Sequence, residues 1–239
     1  FARSYNEFHA SDIYRKIAGS EKNSSREKWV VVPESEKNRG AEFLSSEGVN
    51  LSCKKAVLQC GAALPSKKWP AANFVALAER LISDGWQIIL TGSLEEREAV
   101  SAISSEIDSV RCYNICGKTG FRDVFGILSH CDICVTGDTA LMHAAAGTGV
   151  FVYALFGPTN PYETGPYTAS GIVIRGACPE APCFKRECSR SPSCMENISC
   201  ELVYDTISGD IPDFSEKSFV YKISFEEEDL KSQLLNDSL

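Results

Sequence analysis

From residue 54 to residue 176, short apolar runs alternate with longer stretches whose apolar residues recur every three or four positions. The runs are KKAVLQC, WQIILTG, SVRCYNICG, DICVTGD, VFVYALFGP and GIVIRG, and each predicts a strand. Between them lie PAANFVALAERLISDG, SLEEREAVSAISSE, TGFRDVFGILSHC and TALMHAAAGTG, which predict helices. Phe74, Leu77, Ala78, Leu81 and Ile82 share one face of the first, with Pro70 near its start and Gly85 past its end. Phe121, Val124, Phe125 and Leu128 form one apolar face of the third. Strands alternating with helices at this spacing imply an α/β fold, a Rossmann-like, mostly parallel sheet with helices on both faces. Several runs lack any polar alternation, as strands covered on both faces require.

The flanks are less regular. Residues 1–28 read as a polar helix within EFHASDIYRKIAG, then a charged, Ser-rich loop. KWVVVPESEK reads as one short strand and a turn, and RGAEFLSSEGVN as a linker-like or helical piece. The expected division is a remnant of a preceding domain and linker at 1–52, a Rossmann-like unit at 53–208, and a tail at 209–239. A Cys-rich loop at 178–200 belongs to the unit.

Ligands of such sheets bind beyond the carboxyl ends of the strands. Five loops fall on that rim: 61–69, 91–96, 117–120, 137–139 and 156–166. The helix starting near Thr139 points its free N–H groups and positive dipole end at the rim, a ready phosphate site. Asp138 or Thr139 is positioned to cap it, Ala140 follows, and His143 shares a face with Thr139. Read alone, these residues also fit a capped core helix with a satisfied histidine. In GAALPSKKWP, Gly61 leaves room for a close approach, Lys67 and Lys68 can reach a diphosphate, and Trp69 can anchor the loop. Thr91 and Gly92 end a strand, and Glu95 or Glu96 can accept bonds from sugar hydroxyls or favour a helix start. Gly157 and Thr159 lie in the FGPT turn that forms a neighbouring wall.

Two motifs mislead. CGKTG resembles the end of a P-loop, but the required first glycine is Cys112; Thr119 reads better as a helix cap. No G-x-G-x-x-G follows a strand, which argues against a dinucleotide oxidoreductase.

Composition narrows the partners. The net charge of −8 offers no basic field for nucleic acid. No run reaches 18 apolar residues, so membrane contact is peripheral at most. Eleven cysteines, an odd number with no signal-peptide pattern ahead of them, point to a reducing, cytoplasmic setting. Five of them, from Cys178 to Cys200, lack the C-x-x-C knuckle of zinc ribbons and read as free thiols, with a metal or a disulfide at Cys183, Cys188 and Cys194 as the other options. Cys131 and Cys134 form a C-x-x-C that enters a strand rather than opening a helix, unlike a redox motif.

Residues 54–207 resemble glycosyltransferase family 9, the heptosyltransferases and their relatives. The likeness rests on KKWPAANFVALAERL, GWQIILTGSLEE, ICGKTGFRDVFGILSHCDICVTGDTALMHAAAGTG, VYALFGPTNPYETGPY and PCFKRECSRSPSCM. It implies the C-terminal domain of a GT-B enzyme, with most of the N-terminal domain absent from this sequence. It also implies a nucleotide-diphosphate-sugar donor, a glycan or lipid-linked acceptor, no cofactor and no metal. Lys67 would contact the diphosphate, Asp138 and Thr139 would lie against phosphate and sugar, and His143 would sit nearby. Where relatives often have glycine, this chain has Ala140. The family's catalytic base lies in the N-terminal domain and has no counterpart here. Sugar transfer with inversion at the inner face of the cytoplasmic membrane is the expected function. A noncatalytic nucleotide-binding or regulatory module, and another GT-B enzyme such as a sugar-nucleotide epimerase, are the alternatives.

Overall fold

The computed structural model describes residues 9–18, 30–209 and 218–222. The sheet contains β1 (Lys55–Gln59), β2 (Gln87–Thr91), β3 (Cys112–Asn114), β4 (Ile133–Gly137), β5 (Phe151–Phe156), β6 (Gly171–Gly176) and β7 (Ser218–Lys222), in the order β3-β2-β1-β4-β5-β6-β7. The first six are parallel, with registers such as Val57↔Ile89, Val57↔Cys134 and Cys134↔Val152. β7 closes the edge antiparallel to β6. The chain thus starts mid-sheet, runs outward to β3, then returns to β4 on the other side of β1. The crevice between β1 and β4 is the switch point of the doubly wound order.

Alternating strand residues feed two apolar layers, because successive side chains point to opposite faces. Leu58, Ile88, Leu90 and Val135 meet α3 (Ala71–Ser83), α4 (Arg97–Glu106) and α8 (Cys200–Ser208), the one-turn α7 (Pro161–Thr164) lying in the loop after β5. Val57, Ile89, Cys134 and Ala154 meet α2 (Glu34–Ser46), α5 (Phe121–Leu128) and α6 (Ala140–Thr148). Phe74, Leu77, Ala78 and Leu81 are buried, as the helical spacing requires. Phe121 is not part of the buried face: it is 60% exposed at the first position of α5, its ring edge-on to Phe125 at 5.3 Å.

Several local expectations change. The strand expected in KWVVVPESEK does not form: residues 30–33 are irregular and α2 starts at Glu34, while Lys28 and Trp29 lie outside the described residues. Pro33 sits at the N-cap position, and Glu34 and Glu36 fill a first turn where the helix dipole favours carboxylates. The expected N-terminal helix is α1 (Ala10–Ile17); residues 19–29 lie outside the described part. Gly120, not Thr119, is the N-cap of α5, with Asp123 accepting the Gly120 N–H at 3.0 Å. The pattern also missed α8 and β7.

α2 is held on α5 by close backbone approach and charge. A Cβ on Gly40 would stand 2.3 Å from the Gly126 carbonyl carbon, and one on Gly126 would stand 2.2 Å from the Glu36 oxygen. The buried Glu36 carboxylate pairs with Arg39 of its own helix and with Arg122 of α5 at 2.8 Å. Arg39 also reaches Asp123 at 3.1 Å. In an ordinary helix Gly→Ala stabilises by about 1 kcal/mol; here Gly126→Ala is expected to destabilise by about 1–3 kcal/mol, because the methyl forces the helices apart. A thermal melt that rises in the variant would refute this close packing.

Candidate functional site

The loop after β1 and the turn after β4 meet across the switch point. Lys67 ends a short 3-10 turn, Pro65–Lys67, and its Nζ donates to Asp138 Oδ2 at 2.6 Å. The two side chains keep only 19% and 11% of their surface exposed. A charge pair this sheltered is screened less than a surface pair. The lysine ammonium carries three donors, so one contact with Asp138 leaves others for an anion.

The lysine loop is fixed from behind. Ser66 donates through its N–H to Arg186 O at 3.1 Å and through its hydroxyl to Lys185 O at 2.6 Å. Trp69 is buried, donates from Nε1 to Ile198 O at 2.8 Å and packs edge-on against Phe74, which makes it the anchor expected from the sequence. Lys68, next in the chain, is exposed and takes no part in the Lys67–Asp138 contact.

α6 begins beside Asp138. Thr139 occupies the N-cap with the extended backbone that such a residue adopts (φ −138°, ψ 168°), yet no side chain caps the helix. This departs from the expected cap by Asp138 or Thr139: Asp138 is held by Lys67, and the Thr139 hydroxyl lies 3.1 Å from the Thr136 hydroxyl. The first-turn N–H groups are therefore left to an outside acceptor at the positive end of the dipole. Ala140, the first helical residue, is exposed. From Leu141 to Thr148 only His143 is not buried, because the small residues Ala144 to Gly147 press the helix into the core. The His143 ring takes no hydrogen-bond partner among the described residues, so it is not a satisfied core histidine. Burial holds its pKa below the usual 6.5, opposed by the nearby Asp138 carboxylate.

The remaining candidates divide. Thr91 is buried at the end of β2, its carbonyl accepting from Cys60 N–H at 3.2 Å. Glu96 bonds Ser93 N–H through Oε2 at 2.7 Å and lies against Gly61 and Gly92: a Cβ on Gly61 would stand 1.9 Å from its carboxyl carbon. The room at Gly61 is thus filled by Glu96, which brings a carboxylate to the mouth of β1. Glu95 is exposed, its pKa lowered by bonds to its own backbone and to Ser93. Gly157 is buried, and a Cβ there would stand 2.7 Å from Cys194 Sγ and from Met195 Sδ; its open face is packed by the Cys-rich loop. Thr159 is also buried, its hydroxyl without a partner among the described residues.

The cysteines of that loop are free thiols, and among the described residues no three His, Cys, Asp or Glu side chains are grouped to hold a metal. Glu180 ties the loop together through Lys185 and Arg190, each at 2.6 Å, and these cations lower its pKa to about 2. Burial raises Cys131 to about 12 and Cys134 higher still, so neither is a reactive thiolate. Sequence reasoning passed over Ser66, Thr136 and His9. The His9 ring, buried against Tyr167, donates from Nε2 to Gly165 O at 2.9 Å and accepts from Ser11 N–H at 3.1 Å, which docks α1 on the loop after β5. Nothing in the local pattern marks these three, because their partners lie 119, 3 and 156 positions away, and the near one is a common Thr-x-x-Thr.

The structure is thus a doubly wound α/β domain with a lysine, an uncapped helix start and an imidazole at its switch point, an arrangement chemically suited to an anion. Comparison with known proteins narrows that class. The model of glycosyltransferase family 9 (heptosyltransferase) matches residues 14–193, and the chain belongs to that family. It is 32% identical over 152 residues to lipopolysaccharide heptosyltransferase 2 of Salmonella typhimurium, covering 61% of this chain and 44% of that protein. Its structure is similar to that of a family 9 glycosyl transferase from Veillonella parvula (TM-score 0.73, 23% identity, 87% of this chain and 61% of that one). It is also similar to ADP-heptose LPS heptosyltransferase II of E. coli (TM-score 0.63, 26% identity, 76% of this chain and 53% of that one). The chain therefore spans less than half of the Salmonella relative, and its fold is that of a Rossmann-like GT-B domain.

The lowered pKa of His143 sets a pH dependence. Between its folded pKa and 6.5 the unfolded chain binds the extra proton, so stability falls as pH drops through that window. NMR titration of the ring is expected to give a midpoint below 6.5, moving upward when a diphosphate occupies the helix start; a midpoint at or above 6.5 in the free chain would contradict the burial seen here.

Proposed function

We propose that this chain is the donor-binding part of an inverting glycosyltransferase, one that moves a heptose from a nucleoside diphosphate to a glycan or lipid-linked acceptor. Residues 53–208 are the donor lobe in this reading, and residues 1–52 continue from an acceptor lobe. The observation that carries it is the Lys67–Asp138 pair, set across the switch point beside the open start of α6. The E. coli relative is named for ADP-heptose and the Salmonella relative for lipopolysaccharide, which supports that donor and that acceptor class.

In the transfer, an acceptor hydroxyl oxygen attacks the anomeric carbon from the face opposite the leaving group. The bond from that carbon to the diphosphate oxygen breaks, and its electron pair leaves with the diphosphate. Lys67 and the first-turn N–H groups of α6 stabilise that charge. Asp138 orients Lys67 by holding its ammonium. Thr139 and His143 lie one helical turn apart and serve the phosphate and the sugar, with the Thr159 turn as the far wall. Glu96 receives the ribose hydroxyls. The hydroxyl proton goes to a base outside this crevice, since Asp138 is engaged by Lys67. No helix among the described residues is long and apolar enough to cross a membrane. The reading sets the reaction in the cytoplasm, at the inner membrane face, where sugar nucleotides and a lipid-linked acceptor meet.

A thermal-shift series with nucleoside diphosphates tests this. A ligand at a hundred times its Kd stabilises by about 2.7 kcal/mol, or roughly 5–10 °C in a chain of this size. The native chain is expected to show such a shift with ADP and to give no turnover by itself. Lys67→Ala and Asp138→Ala should each lose most of the shift. Absence of any shift in the native chain, or full shifts in both variants, would remove the site. Robust transfer by the 239-residue chain alone would remove the division of labour.

A further inference from the structure

Thr136 is the last-but-one residue of β4 and is fully buried behind the start of α6. It faces the same layer as Cys134, on the α6 side of the sheet. Its hydroxyl lies 3.0 Å from Gly137 O and 3.1 Å from Thr139 Oγ1. Thr139 has the backbone of an N-cap but no cap bond. Threonine at that position ordinarily turns its oxygen to the N–H of the second or third helical residue, a bond of about 1 kcal/mol. Here the hydroxyl of the preceding strand competes for it, and a neutral hydrogen bond has a similar net strength.

We infer that Thr136 is a positioning residue for the diphosphate site: it withholds the Thr139 hydroxyl from the α6 N–H groups and so keeps the helix start open. It also controls which proton Thr139 presents. A hydroxyl has one proton to give. When Thr136 donates to Gly137 O, it accepts the Thr139 proton, and Thr139 offers the crevice only lone pairs. When Thr136 turns its proton to Thr139 Oγ1, the Thr139 proton is released to a phosphoryl oxygen. The two hydroxyls thus form a relay that switches by rotation alone, with no bond to carbon or phosphorus changed. The inference rests on the reading of the α6 start as a diphosphate site.

The test is a cycle of variants of the full chain, with ADP affinity measured by calorimetry and folding by thermal melt. Thr136→Val keeps the shape and removes the hydroxyl; Thr139 then caps α6, and ADP affinity is expected to fall about tenfold, the size of one lost hydrogen bond of this kind. Thr136→Ser should bind as the native chain does. Thr139→Ala weakens ADP by itself, and adding Thr136→Val to it should have no further effect, since no hydroxyl remains to cap. A residue that only supports the fold would instead weaken binding equally in both backgrounds. Equal affinity of Thr136→Val and the native chain, or additive losses in the double variant, would overturn the inference while leaving the site itself intact. No ADP binding by the folded native chain would overturn the site reading and this inference with it. Should Thr136→Val melt far below the others, Thr136→Ala, alone and combined with Thr139→Ala, gives the second arm: the single variant should lose affinity about tenfold, and in the Thr139→Ala background it should lose nothing further, an additive loss overturning the inference.

Discussion

The contact between Lys67 and Asp138 organises the crevice. It joins the loop after β1 to the turn after β4, two segments 71 residues apart, across the point where the sheet reverses its order. A lysine without Asp138 would be one more solvated cation beside an exposed neighbour, Lys68. An aspartate without Lys67 would be free to cap α6 and place negative charge at the positive end of its dipole. Each partner therefore keeps the other from its commoner role, and the result is a cation held beside an open helix start.

That arrangement needs a rigid support, and the Cys-rich segment supplies it. Ser66 and Trp69 hang the lysine loop on the carbonyls of Lys185, Arg186 and Ile198, while Cys194 and Met195 pack on Gly157 in the next wall. The segment's cysteines read in sequence as free thiols, with a metal or a disulfide as the other options. In three dimensions it is a buttress of free thiols, held by the Glu180 ion pairs and by backbone contacts. On the opposite face the close approach of Gly40 and Gly126 seats α2 on α5, so the helix ahead of β1 is packed against the domain.

The regular part of the fold was legible because periodicity reports burial. Phe74, Leu77, Ala78 and Leu81 recur at helical spacing since one face of α3 meets the sheet, and apolar strands such as IILT are covered on both sides. α2 was only half legible: RGAEFLSSEGVN reads as linker-like or helical, Val30 to Val32 ahead of the helix are irregular rather than a strand, and its inner face combines the buried Leu44 with Gly40 and the paired Glu36. Phe121 shows the same limit in reverse, an apolar residue in phase with a helix face yet left exposed at its end.

The amino-acid sequence sufficed for the alternation of strands and helices, for helices on both faces of a mostly parallel sheet, and for which loops share the carboxyl rim, because those follow from local spacing and chain direction. It also singled out Lys67, Asp138, Thr139 and His143 as chemically suited residues. How these residues are used depends on contacts of the folded chain, most of them made across long stretches of sequence. Lys67 and Asp138 became a pair, Thr139 was turned from its cap by Thr136, Glu96 was brought to Gly61, and Gly157 was given to packing. Those outcomes are competitions between alternative partners of similar strength, and the winner is set by which groups the fold brings within about 3 Å, the reach of a hydrogen bond.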